Sequence, residues 1–523
     1  MSLKEDKVTG FLGKHPFIST VFAVLVVLIA TGMQINSNAA VCIVMVSGYL
    51  LIAGYGLFLK KTQKLSDDAL IVLIFLAGAV LRLGYVLYTD VSTRQNDVGV
   101  FEEGIYNIFH SGYIMLVRDT LSVPNFDIRD LGQYYHPPFH YIVCAAFLKI
   151  YELFLPKGTH NYEALQALSM LWSQFSLILM YKIVKLTGIK KENRIIAALI
   201  VSAFPAFTLL SASINNDGLS VFLYFAAFFF GLKWYKEGGW KNILLSAAAT
   251  GLGVMTKLSI GMIAFPLGFL FIVKLIKDLA GKSENKAGTK SLLQLIVFGL
   301  ISVPLGLWYQ IRNYILFKVP VTYVLESDNI YQDISRYTPL QRVFGFYTLP
   351  IENYYINLGS DGQQDYNIFI TQVKTALFGE ENYRDDFAMS MAGYALLLAL
   401  LLLILIALIG LIVMLVKLKK SGSVWENLSM VVLAVTMAVS VTVFSLKYPH
   451  ICSMNFRYST PLLLSGTVFC CKAGEIKLKG ENKELLTKIL KGISIAFFVL
   501  AVLFYTILWT YVKGEVVVVD PSW

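Results

Sequence analysis

Charge is scarce in this chain: only 15% of its 523 residues are Asp, Glu, Lys or Arg, while 56% are hydrophobic. No soluble domain buries that much apolar surface, so an aqueous globular protein is excluded and the bilayer must act as solvent. Cysteine is scarce too. Cys42, Cys144, Cys452, Cys470 and Cys471 are odd in number and lack metal-ligand spacing, which speaks against a disulfide framework and a zinc site. Internal repeats and low-complexity tracts are missing. The first apolar stretch follows Lys4, Lys7 and Lys14 without a small-residue cleavage site, so it reads as a retained helix rather than a signal peptide.

What the chain does have is apolar runs of helix length. They are Phe17–Met33, Ala39–Leu59, Ala69–Tyr88, Ala164–Leu186, Ile195–Ile214, Leu219–Trp234 and Ile243–Met255, then Ile260–Ile276, Leu292–Leu307, Met391–Val416, Leu428–Leu446, Tyr458–Cys471 and Ile493–Val512. A fourteenth, Phe139–Leu155, is decided by charge. With a cytoplasmic amino terminus, counting it as a span throws Lys190, Lys191 and Arg194 outside. Laying it along the outer interface returns every basic loop to the inside, as positive-inside orientation asks. The expectation is an all-α polytopic protein of about thirteen transmembrane helices. Phe139–Leu155 is interfacial, and Val98–Phe109 is a second interfacial helix because Val98, Phe101, Ile105 and Ile108 recur at helical spacing.

Arginine is the rarer base, with ten residues. In this topology only Arg194 lies inside, Arg82 sits near the outer end of the third helix, and eight occupy outer loops. Guanidinium forks suit phosphate recognition and ion pairing alike. Two outer segments are long, Thr89 to about Glu163 and Trp308 to about Ser390. The second carries Tyr323, Tyr331, Tyr337, Tyr347, Tyr354 and Tyr355, too aromatic for a disordered linker.

Chemistry-bearing residues collect at outer helix ends. Asp97 follows Gln95-Asn96, and Asp217 follows Asn215-Asn216 at a tight turn; each can cap a helix or serve a reaction as base or anchor. Tyr134-Tyr135-His136-Pro137-Pro138-Phe139-His140 fixes the backbone as it starts a helix. His136 reads as a phosphate or hydroxyl contact, with a structural histidine as the competing reading. Lys257, Arg312 in Trp308–Tyr314, and Arg457 in Asn455-Phe456-Arg457-Tyr458 put cations at outer headgroup level, where a lone lysine can also merely snorkel.

Taken in order, Asp97, Pro137-Pro138, Asp217, Thr256-Lys257, Arg312-Asn313 and Arg457-Tyr458 resemble the glycosyltransferase C (GT-C) superfamily. The likeness is to its protein O-mannosyltransferase-like and aminoarabinose-transferase-like branch, and runs from about Ala69 onward. His136 stands where relatives often carry lysine, and no Asp-Glu pair occurs at Asp97. The resemblance implies two extra helices in residues 1–66 and a catalytic core over 67–315 with outer loop 89–163. It also implies an outer loop or small lid over 316–390 and C-terminal helices over 391–523.

It further implies a sugar passing with inversion from a polyprenyl-phosphate donor to a hydroxyl of a glycan, glycolipid or protein acceptor. The transfer would take place on the extracytoplasmic face of a plasma membrane. Asp97 would be general base and Asp217 would orient the acceptor, a sugar hydroxyl or a divalent metal. His136, Lys257, Arg312 and Arg457 would hold the phosphate, and Glu102, His140, Asn216 and Tyr458 would contact acceptor or sugar. Membrane lipids are the other expected partners, and nucleic acid is not one. Lysine-rich composition hints at a bacterial source. The competing class is a transporter or flippase for lipid-linked sugars, which would concentrate polar groups near the midplane on broken helices, often in repeated halves.

Overall fold

The structure, a computed structural model, describes residues 6–32, 38–92, 97–280, 285–325, 332–346, 364–379, 387–418, 422–476 and 485–511. Gln95, Asn96, Tyr331, Tyr347, Tyr354 and Tyr355 lie outside these residues. Among the described residues the fold is all-helical, with one isolated antiparallel bridge between Asp333 and His450.

All thirteen apolar runs are at least partly helical, but they do not make thirteen full spans. Among the described residues nine helices are long and apolar enough to cross a membrane, or ten if the bent pair Lys7–Lys14 and Pro16–Ala30 counts as one. Two runs form shorter rods, Trp240–Val254 and Leu462–Ala473. The run Ile195–Ile214 is broken into Arg194–Ser202 and Pro205–Leu210. Pro205 has no N–H to give the preceding turn, so the first helix stops and a second starts on the proline.

Two further expectations need correction. The helix that was to end at Leu307 continues as Asn285–Phe317, so Trp308 to Tyr314 form its last turns rather than a loop. It stops where Lys318 adopts φ 58°. Val98–Phe109 is not a helix: Asp97, Gly99 and Gly104 take φ of 57°, 72° and 72°. There Asn107 supplies an alternative to helical hydrogen bonding, donating to Val100 O at 2.8 Å and accepting from Phe109 N at 3.0 Å. The helix begins later, as His110–Thr120. The Phe139–Leu155 run does form a helix, Phe139–Glu152, whose 14 residues are too few to cross a bilayer.

Arg82 shows how a charge inside the helical body is satisfied in a low-dielectric medium. Arg82 is fully buried and donates to Gln174 Oε1 at 3.0 and 2.5 Å and to Ser202 O at 2.5 Å. Gly78 allows that packing, because a Cβ there would come within 2.2 Å of the Ser202 carbonyl oxygen. Several of the arginines assigned to outer loops have structural partners: Arg118 pairs with Glu103 at 3.0 Å and Glu152 at 2.9 Å, and Arg129 with Asp127 at 2.5 Å. Arg342 donates to Ser445 O at 2.5 Å. These arginines are therefore not one phosphate-binding set.

Candidate active site

Three chain segments meet at the start of Phe139–Glu152. Phe139 N donates to Met255 O at 3.1 Å, and His140 Nε2 lies 2.7 Å from Ile214 O. Asn216 Nδ2 donates to Thr256 O at 3.2 Å. The diproline element thus pins the Asn215-Asn216-Asp217 turn against the Thr256-Lys257 turn. Asp217 is the first residue of helix Asp217–Glu237, and Lys257 immediately precedes the turn Leu258–Ile263.

On this frame the ionised groups converge. Lys257 Nζ is in direct contact with Asp217 Oδ1. Arg457 lies between both carboxylates, with Nη2 3.2 Å from Asp97 Oδ2 and Nη1 3.8 Å from Asp217 Oδ2. Tyr458 completes the group: its ring faces Lys257 at 4.8 Å and Arg457 at 5.1 Å. The two acids differ sharply in setting. The Asp217 side chain is 3% exposed and that of Asp97 is 44% exposed. One is enclosed by cations and the other is open to an incoming molecule.

The histidines divide as well. His136 stacks on His110 at 5.6 Å between ring centroids and lies against Tyr135 at 4.1 Å. Burial, with Lys257 beside it, pushes its pKa down to about 3, so it is neutral and offers an N–H rather than a charge. His140 is buried and its pKa is likewise pushed down, to about 4, chiefly by burial. Its ring faces the Ile214 carbonyl, so it positions the Asp217 turn and is not aimed at a bound sugar. Burial also pulls Lys257 below the ordinary lysine range, with the Asp217 carboxylate working against it.

The remaining candidates stand apart from this cluster. Arg312 donates to Asn313 Oδ1 at 3.0 Å and to Asn125 Oδ1 at 3.2 Å. Glu102 is exposed, while its neighbour Glu103 is the one held by Arg118 and Tyr162. Among the described residues no three His, Cys, Asp or Glu side chains gather as a metal site. A guanidinium lies between Asp97 and Asp217, so this pair of carboxylates does not fit a divalent metal.

Sequence reasoning missed what holds Arg457 in place. Gln372, on helix Ile368–Phe378, donates from Nε2 to Met454 O at 2.7 Å and Asn455 O at 3.0 Å, and accepts from Ser459 Oγ. Thr375 Oγ1 accepts from Phe456 N at 2.9 Å, and Asn455 Oδ1 accepts from Arg457 N at 2.9 Å. The helix Ile368–Phe378 is thus a clamp on the Arg457-Tyr458 turn. The signal for it in the sequence is the short apolar run Ile368–Phe378.

Residues 135–308 match the family model of dolichyl-phosphate-mannose-protein mannosyltransferases. The matched stretch holds His136, Asn216, Asp217 and Lys257, and it supports a membrane glycosyltransferase of the GT-C type. No curated protein matches the chain. Among solved structures, ArnT from Cupriavidus metallidurans in the apo state is similar at 14% identity over 78% of each chain, with a TM-score of 0.35.

Proposed function

We propose that the protein transfers a sugar from a polyprenyl-phosphate donor to an acceptor hydroxyl at the outer membrane face, with Asp97 as general base. The observation that carries this reading is the position of Arg457 between an exposed and a buried carboxylate, with Lys257 on the other side of the buried one. A donor phosphate would take over part of the cationic partnership that Asp97 and Asp217 now hold. Asp97, released from Arg457, would accept the proton of the acceptor hydroxyl. The acceptor oxygen bonds to the anomeric carbon as the carbon–oxygen bond to phosphate breaks. The bonding pair leaves with the polyprenyl phosphate, whose charge Lys257 and Arg457 meet. His136, neutral, would donate a hydrogen bond to a phosphate oxygen.

Asp217 has a different task in this scheme. Enclosed by two cations, it fixes Lys257 and Arg457 at one point and is a poor base. Tyr458 would cover the same phosphate with the ring that both cations already face. Arg312, held by two asparagines, would act on the donor only through a rearrangement of its own.

The experiment is transfer of sugar from purified polyprenyl-phosphate sugar in nanodiscs, comparing wild type with Asp97→Asn and Asp217→Asn. Full activity in Asp97→Asn removes it as base. Absence of transfer in the wild type, with movement of the lipid-linked sugar between leaflets, favours the transporter reading.

A further inference from the structure

The helix that carries Asp217 ends, at its far terminus, beside a second cationic recess. Asp217–Glu237 has 21 residues, which at 1.5 Å per residue puts its ends about 30 Å apart, one hydrocarbon thickness. At the far end is a recess of about 440 Å³ lined by Tyr235, Lys236, Lys274, Lys277, Trp425 and Glu426, together with Asp278. Three cations face two anions there. Glu426 is paired with Lys236 at 3.2 Å. Asp278 is paired with Lys274 at 3.2 Å and accepts from Ser291 Oγ at 2.6 Å.

Lys277 is the surplus charge. It donates to Tyr235 Oη at 2.6 Å and faces the rings of Tyr235 at 5.0 Å and Trp425 at 5.5 Å. Among the described residues it has no carboxylate partner. A phenol and two ring faces orient an ammonium without neutralising it. We propose that this recess binds the phosphate of an anionic glycerophospholipid in the leaflet opposite the carboxylate cluster, with Lys277 as its counter-charge.

The surroundings favour a lipid over a soluble anion. The recess sits where spanning helices end, and Trp425 and Tyr235 are the residue types that settle at headgroup depth. The helix carrying Lys277, Ala264–Ala280, also leaves Ile272, Ile276 and Leu279 exposed at 60%, 60% and 63%. That surface suits acyl chains and has no use in binding free phosphate.

The test is native mass spectrometry of the purified protein titrated with phosphatidylglycerol, with phosphatidylcholine as the uncharged comparison and glycerol 3-phosphate as soluble competitor. Lys277→Ala should weaken phosphatidylglycerol retention by about fivefold, as expected for one lysine against an anionic lipid. Lys277→Arg should keep it, and so should Lys241→Ala, an exposed lysine outside the recess. Equal retention by Lys277→Ala and wild type, at an unchanged melting temperature, overturns the proposal. So does equal binding of phosphatidylcholine. Displacement by glycerol 3-phosphate would mark a site for a soluble anion and overturn the lipid assignment. None of these readouts requires glycosyl transfer.

Discussion

Arg457 reaches a carboxylate 360 residues earlier in the chain: its Nη2 lies 3.2 Å from Oδ2 of Asp97. The contact ties one oxygen of Asp97 to the cluster, while its side chain stays 44% exposed.

Asp97→Asn keeps shape and hydrogen bonding but cannot take a proton. Turnover should fall by about a hundredfold or more while donor binding is retained, read as kcat against donor affinity. Asp217→Asn should behave differently. It leaves Lys257 and Arg457 without their shared buried anion, so thermal stability in detergent should drop by about 3 kcal/mol along with activity. Equal melting temperatures for the two variants would contradict the division of roles.

Replacing the cations should separate them by position. Lys257→Ala and Arg457→Ala should each lower donor affinity or turnover by at least about tenfold. Arg312→Ala should cost less, because Arg312 contacts Asn125 and Asn313 instead of the carboxylates. Arg336, over the Tyr337 ring at 5.0 Å, serves as the control outside the cluster. Uniform losses at all four positions would point to general electrostatics.

Gln372→Ala removes the groups that hold the carbonyls of Met454 and Asn455 and the hydroxyl of Ser459. Leaving those buried groups unsatisfied should cost about 1–3 kcal/mol of stability. Activity should fall further than stability alone explains, because Arg457 loses its backbone support. Combining Gln372→Ala with Arg457→Ala should add little to the loss of turnover beyond Arg457→Ala alone. Additive losses in turnover would separate the clamp from Arg457.

The buried histidines set a pH dependence of stability. His136 has an ordinary value of 6.5 when unfolded and about 3 when folded, and His140 falls to about 4. The unfolded chain therefore binds protons that the native state refuses between those values. Stability should be full above about pH 6.5 and decline as pH falls toward 4, with His136→Gln reducing the slope. Melting temperatures of the two proteins between pH 7 and pH 4 check this, and identical slopes would contradict it.

Single cysteines at Lys190 and Lys191 should resist an impermeant thiol reagent in intact cells. Lys191 lies 3.7 Å from Asp68, at the start of the helix Asp67–Tyr88. The two residues therefore share one face, and ready labelling would place that face outside and invert the orientation.

Much of this protein is legible one-dimensionally, because an apolar run of the right length has one outcome in a bilayer: a helix that satisfies its own backbone. The helical character of the thirteen runs and the short Phe139 helix follow from composition and charge. Local backbone rules then decided details that periodicity misread. Gly99, Gly104 and the Asn107 side chain unwound Val98–Phe109, and Pro205 split a span.

Sequence order alone can nominate Asp97, Asp217, Lys257 and Arg457, since each stands in a turn or beside a helix end. It cannot rank them. Only the tertiary structure encloses Asp217 between two cations while leaving Asp97 open. It alone turns His140 toward a backbone carbonyl, sets Arg312 against asparagines, and recruits Gln372 from a distant segment to hold Arg457. The reason is physical: helix formation depends on neighbours within a few residues, whereas the charge and exposure of a carboxylate depend on groups brought together across hundreds.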